Sequence, residues 1–230
     1  MSSDNVSTPR RRPSSGGYAR GEEQRARLIE AALKVFGEEG YERASTRKIA
    51  QEAGVRPPAL QYYFDSKEGL SRACGEYIVE QAMQLLHAPL ELASSLSRQA
   101  PPEAALTTLC DLLDALVDAS LFSKATPERA RFSARTRTED SPASAVMREH
   151  LSSPIADIAT RLVAQVLGCE PGDEVRLRTG LILGQLSAVQ PFHSTTLERL
   201  GWSDADGKRR EKIKAAMRAH TRGALGITTI

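Results

Sequence analysis

Apolar residues recur at three- and four-residue intervals through most of the chain, and the intervals divide it into helices. Leu28, Ile29, Ala32, Leu33 and Phe36 form one stripe of a helix predicted over 22–39. Glu22 and Glu23 suit its N-terminal end, and Gly40 its C-terminal end. Two short helices follow, divided by Gly54-Val55. Ser45 is placed to cap the first, whose apolar face is Ile49, Ala50 and Ala53. The second opens at Pro57 or Pro58, where a missing N–H is tolerated. Its Leu60, Phe64 and part of Tyr63 point inward, leaving Arg56, Ala59, Gln61 and Tyr62 outward. Asp65-Ser66-Lys67-Glu68 then reads as a capping box. It starts a long helix to about His87, with Leu70, Ala73, Cys74, Tyr77, Ile78, Leu85 and Leu86 on its apolar side and Pro89 as its kink or end.

Helical periodicity continues to the C-terminal region. Pro101-Pro102 opens a segment with Leu106, Leu109, Cys110, Leu113, Leu116, Val117 and Leu121 on one side. Pro127 opens a shorter polar helix through about Arg137. Pro142 opens a long one, with Val146, Ile155, Ile158, Leu162, Val163 and Val166 recurring and Pro154 as a kink. Gly168 and Pro171-Gly172 separate it from a helix over 173–189 that reads as buried nearly all round. The last helix, 208–222, sets Ile213, Ala216 and Met217 on one face. No strand-like alternation and no repeat is visible. The expectation is an all-α protein with three parts: a disordered basic arm over 1–20, a three-helix head over 21–68, and a larger helical body over 69–225.

Charge sharpens the picture only when taken by segment, because the net formal charge of the 230 residues is just +2. Between Glu22 and Glu42, three basic residues stand against six glutamates; between Arg43 and Arg72, six basic residues stand against three acidic ones. The basic excess coincides with the helix pair around Gly54. A helix pair of this kind is a helix-turn-helix, whose second helix enters the DNA major groove, and basic residues there would meet phosphates. The arm, with Arg10, Arg11, Arg12 and Arg20 against one aspartate, reads as a solvated tail or as a minor-groove contact. Cys74, Cys110 and Cys169 have no metal-ligand spacing and read as buried thiols of a cytoplasmic protein. No run of about 18 apolar residues suggests a membrane span. The four histidines are isolated, and no phosphate-loop, dinucleotide or nucleophile-elbow motif is present, so no metal, cofactor or catalytic site is expected.

The order S-T-R-K-I-A-Q-E-A-G-V, then A-L-Q-Y-Y-F-D-S-K-E-G-L, resembles the DNA-binding domain of TetR/AcrR-type regulators, closely from about Arg25 to Gly75. Thr46, Arg47 and Lys67 then become candidate phosphate contacts, as do the Tyr62 and Tyr63 hydroxyls, whose matching positions in the family serve that role. Base edges fall to Gln61, which can pair with adenine through two hydrogen bonds, to Arg56 with guanine, and to Ala59 against a thymine methyl. Pro57-Pro58 departs from the small or basic residues often found there, which removes two N–H donors and shifts specificity to positions 59–62.

The resemblance further implies a homodimer on a palindromic DNA operator, a small-molecule effector held in the body, and release of a repressor when that effector binds. Effector-pocket candidates are Met83, His87, Phe122, Phe132, Met147, His150 and Phe192, although such residues at helical spacing are also ordinary core. Arg131, Arg135 and Arg137, flanked by Glu128, Glu139 and Asp140, read as a solvated face or as an attractor for an acidic ligand. Dimer-interface candidates are Gly180, Gly184 and Ala188, small residues spaced by four, with Ile213 and Met217 on the last helix; internal packing is the other reading. A DNA-bound regulator that answers a protein partner rather than a small molecule stands as the alternative.

Overall fold

The computed structural model describes residues 15–121, 126–189, 199–202 and 207–227, and every regular element among them is helical. Helix α1 (Ser15–Glu39) supports α2 (Thr46–Glu52) and α3 (Pro57–Phe64). Ser45 caps α2 by accepting Lys48 N at 3.2 Å, and Gly54 makes the turn with φ +65°. Leu28, Leu33, Phe36, Ile49, Leu60 and Phe64 close the core of this head. The long α4 (Lys67–Ser95) starts at Ser66, whose hydroxyl accepts Gly69 N at 3.1 Å, and its Leu70, Ala73 and Cys74 belong to the same core.

The body comprises α5 (Pro102–Leu121), α6 (Pro127–Arg135), α7 (Pro142–Met147), α8 (Ser153–Leu167), α9 (Asp173–Gly184) and α10 (Gly207–Ala224). Its main core joins the C-terminal half of α4 to α5, α8 and α9 through Leu86, Leu90, Leu109, Leu113, Leu162, Val163 and Ile182. Helix α10 lies on α5 over a small cluster of Val117, Ile213 and Met217. Beside the cluster runs a row of ion pairs, with Lys214 Nζ 2.8 Å from Asp118 Oδ2 and Arg218 Nε 3.0 Å from Asp114 Oδ2. The head does not end at its last helix: Phe132 of α6 and Ala143 of α7 complete its core.

Several elements differ from the sequence reading. Helix α1 begins at Ser15, inside the span read as a disordered arm; residues 1–14, with Arg10, Arg11 and Arg12, lie outside the described residues. The early turns of α1 are held against α3, with the Tyr63 hydroxyl 3.4 Å from Gln24 Oε1 and Arg25 5.3 Å above the Phe64 ring. Pro89 neither ends nor divides α4. Leu86, Leu90 and Ala93 are buried on both sides of it, and Arg161 of α8 donates to the Leu96 carbonyl (3.3 Å) and to that of Ala93, so packing and a cap from another helix override the missing N–H. The long helix read around Pro154 is interrupted there: a π-helical turn, Arg148–Ser152, joins α7 to α8, and Pro154 lies in the first turn of α8, where its missing N–H is tolerated. Helix α6 stops at Arg135, and α9 at Gly184, before a 3-10 turn over Gln185–Val189. Helix α9 is not buried all round: Leu177 and Leu181 are 65% and 66% exposed. Of the three cysteines only Cys74 and Cys110 are buried, which pushes both thiols up; Cys169 follows the left-handed Gly168 that ends α8 and is exposed.

Candidate nucleic-acid interface

Pro57 and Pro58 occupy the first two positions of α3, and Arg56 enters them in extended conformation, with φ −75° and ψ 142° and no side-chain cap. The start of the helix is therefore fixed by ring geometry rather than by hydrogen bonds. Leu60 and Phe64 are buried, Gln61 is exposed, and Tyr62 is 81% exposed. An aromatic ring left this open on a short helix costs solubility unless something covers it. Tyr63 is half-buried and meets Tyr62 edge to face, with ring centroids 5.0 Å apart. One tyrosine is thus tied to α1 and steadies the other. Ala59 is half-buried beside Arg56. As an expected result, Gln61→Ala weakens binding to the preferred duplex by about 1–3 kcal/mol and relaxes preference at the base pair it faces. Titration against a panel of singly substituted duplexes checks it; equal loss on every sequence would make Gln61 a phosphate contact.

The basic residues divide into two sets. Arg47, Arg56 and Arg72 are exposed and have no carboxylate partner among the described residues, and Thr46 is half-buried beside Arg47 at the start of α2. Arg43, Lys48 and Lys67 are engaged within the head. Arg43 Nε donates to Glu39 O at 2.9 Å, Lys48 pairs with Glu39, and Lys67 Nζ donates to Glu42 O at 3.1 Å while lying 4.5 Å above the Tyr41 ring. Lys34 on α1 pairs with Glu52 at the end of α2 at 2.5 Å. Lys67, read from sequence as a phosphate contact, also holds the chain before α2 to the start of α4.

Tyr41 gave no chemical signal in the sequence beyond completing a small core, yet it joins three parts of the molecule. Its hydroxyl donates to Glu68 Oε1 at 3.0 Å, its N–H donates to Glu139 Oε2 at 3.1 Å, and its ring lies 5.9 Å from that of Phe36. Partial burial and then the Glu68 carboxylate push its phenol up to about 12. The Glu68 carboxyl is held below its usual range by its own N–H and the Ser66 hydroxyl, then by Tyr41.

The effector-pocket candidates do not converge. Phe132 and Met147 pack with the head core, Met83 lies against the main body core, and His87 and His150 are exposed beside Glu91 and Glu149; Phe122 and Phe192 lie outside the described residues. Gly180, Gly184 and Ala188 are exposed, whereas Ile213 and Met217 turn inward onto Val117 of the same chain. Amphipathicity marked the last two as buried without saying by which chain. No helix among the described residues is long and apolar enough to cross a membrane.

The arrangement of a helix-turn-helix head and a long α4 leading into a helical body is found in known proteins. Residues 28–74 match the family model for bacterial regulatory proteins of the tetR family, and residues 102–227 match that for the C-terminal domain of the HTH-type transcriptional dual regulator CecR. CecR of Shigella flexneri is 32% identical over 203 residues, which cover 87% of this chain and 91% of that protein. The regulatory protein RaaS of Mycobacterium tuberculosis is 41% identical over 56 residues, 24% of this chain and 26% of that one. Among solved structures, FadR from Bacillus subtilis in complex with stearoyl-CoA superposes with a TM-score of 0.56 at 19% identity, over 89% of this chain and 99% of FadR. A TetR-like regulator from Rhodococcus sp. RHA1 gives 0.55 at 17% identity, over 88% and 96%. With its reading helix outward, its head and body both matched, and a full-length relative in CecR, the chain belongs to the TetR family of DNA-binding transcriptional regulators.

Proposed function

We propose that this regulator is a cytoplasmic, one-component repressor that binds a palindromic operator as a homodimer and leaves it when a small apolar or amphipathic effector enters the body. The observation that carries the dimer is the outer face of α9, where Leu177, Leu181, Gly180 and Gly184 are all exposed. A side chain added at Gly180 or Gly184 would meet nothing within 4 Å among the described residues. Exposed leucines beside glycines suit a second helix at close range, and an isologous pair of heads reads a palindrome. The small-molecule part of the reading draws on family membership and on FadR, whose structure holds the amphipathic stearoyl-CoA.

Gly180→Ala with Gly184→Ala separates the roles of this face. Each change is expected to raise the stability of the isolated chain by up to ~1 kcal/mol through helix propensity. The dimer should dissociate about tenfold more readily, because the added methyls hold the helices apart. Sedimentation equilibrium alongside thermal melting checks both; unchanged dimerisation moves the interface elsewhere. The function itself is tested by selecting bound duplexes from random DNA, with and without candidate ligands. A palindrome lost on adding a ligand is expected, and binding without sequence preference at physiological salt overturns the reading. Since CecR is named a dual regulator, transcripts that rise and fall on deletion should both be counted. The dispersal of the pocket candidates favours a second reading, a DNA-bound regulator answering a protein partner; release of the duplex by a small molecule alone rules it out.

A further inference from the structure

The last carbonyls of a helix find no partner within it and turn to water or a following loop. At the end of α1 each of the last four is satisfied. Phe36 O accepts Gly40 N at 2.9 Å, and Glu39 O accepts Arg43 Nε at 2.9 Å. Gly37 O and Glu38 O accept Arg135 Nε at 3.1 Å and Nη2 at 3.2 Å. Half of the cap on a head helix is therefore supplied by the final residue of α6. The remaining edge of the same guanidinium, Nη1, donates to Glu139 Oε1 at 2.8 Å, and the other oxygen of Glu139 takes the Tyr41 N–H.

One arginine thus makes three hydrogen bonds in one plane, a geometry that a guanidinium fork provides and an ammonium does not. A positive charge there also complements the carbonyl end of α1. Both side chains are about a third exposed, 32% for Arg135 and 30% for Glu139, so water only partly screens them. Tyr41 carries the contact onward, through Glu68 and Lys67, to the first turn of α4. That turn follows the reading helix across Ser66 and Asp65, the latter held at φ +58°. Among the described residues Asp65 is the only non-glycine residue with positive φ, so the angle at this junction rests on a backbone conformation that side chains seldom adopt.

We propose that Arg135 and Glu139 are positioning residues for DNA recognition: they fix the end of α1 and Tyr41, and through Tyr41 set the angle between the reading helix and α4. The assignment rests on the DNA-binding reading of α3. Neither residue touches the reading helix, so a purely structural role would lower the melting temperature and leave the affinity of the folded protein alone.

The test uses the full-length protein with Arg135→Lys, Glu139→Gln, Lys67→Ala and the double variant Glu139→Gln/Lys67→Ala, titrated against the selected palindromic duplex. Arg135→Lys and Glu139→Gln should each weaken binding about tenfold, as expected for loss of a charge-assisted contact. The double variant should lose less than the product of its two single losses, because both act through Tyr41. Losses that multiply, or an affinity that merely follows the folded fraction, overturn the proposal. Glu139→Gln keeps an acceptor for the Tyr41 N–H and carries the test alone should Arg135→Lys fail to fold. Amide hydrogen exchange in α3 needs no DNA: faster exchange in folded Glu139→Gln supports the proposal, and unchanged exchange overturns it. Absence of any selected duplex would instead count against the operator reading.

Discussion

Gly40→Ala is expected to destabilise the protein by about 2–4 kcal/mol, a fall of roughly 5–15 °C in melting temperature for a chain of this size. Gly40 ends α1 with φ +84°, where a side chain costs about 1–3 kcal/mol. A methyl there would also overlap Glu139 Oε1 and lie 3.0 Å from Arg135 Nη1, so the cap must open to admit it. Gly54 provides the control. It has φ +65°, but nothing among the described residues stands within 4 Å of an added Cβ. Gly54→Ala therefore reports backbone strain alone, and the excess loss in Gly40→Ala reports displacement of the Arg135–Glu139 pair. Chemical denaturation followed by circular dichroism measures both. Equal losses would show that the pair yields without cost.

Most of the head was readable because its determinants are local. Ser45 and Ser66 cap helices within three residues of themselves, Gly54 supplies its own turn, and Leu28, Leu33 and Phe36 declare their face by spacing. All-helical architecture followed from the same period. The contacts across the head–body junction are of another kind. Tyr41 and Glu139 stand 98 positions apart, and polar residues carry no period that would announce a distant partner. Arg135 therefore read as part of a solvated face, although its guanidinium caps α1. Local rules also fail where packing outweighs them, as at Pro89, whose helix is buried on either side. Periodicity says that a residue is buried and not against what, which is why Ile213 and Met217 suggested another chain and met Val117 instead. The described effector candidates are dispersed for a related reason: Met and Phe fill cores and line cavities alike, and Phe132 fills the core of the head.

Gly75→Val is expected to be the most damaging single change at the junction, costing about 3 kcal/mol or more. Gly75 is where α4 crosses α7: an added Cβ would stand 2.9 Å from Ala143 O, 3.0 Å from Ala143 Cα and 3.2 Å from Val146 Cβ. Two of these atoms are backbone and cannot rotate aside. The facing end of α7 is itself held, by the buried Ser141–Ser144 capping box and by Ala143 N, which donates to Ser71 Oγ at 3.3 Å. Relief therefore requires the helices to separate. Gly75→Ala places the same Cβ against backbone, so it should also destabilise, by up to about 2 kcal/mol, with the ~1 kcal/mol gained in helix propensity offsetting only part of the overlap. A steep step from alanine to valine is the signature of a close crossing, whereas a helix-propensity effect alone would stabilise both variants. The change also acts on DNA reading, because α4 carries the head and α7 belongs to the body. In the proposed dimer, pushing them apart would alter the distance between the two heads. At a temperature where Gly75→Val remains folded, it should lose preference for the parent half-site spacing while each half-site sequence is still recognised. Duplex selection with variable spacers measures this directly, and an unchanged spacing preference would show that the crossing supports stability without setting the geometry of the heads.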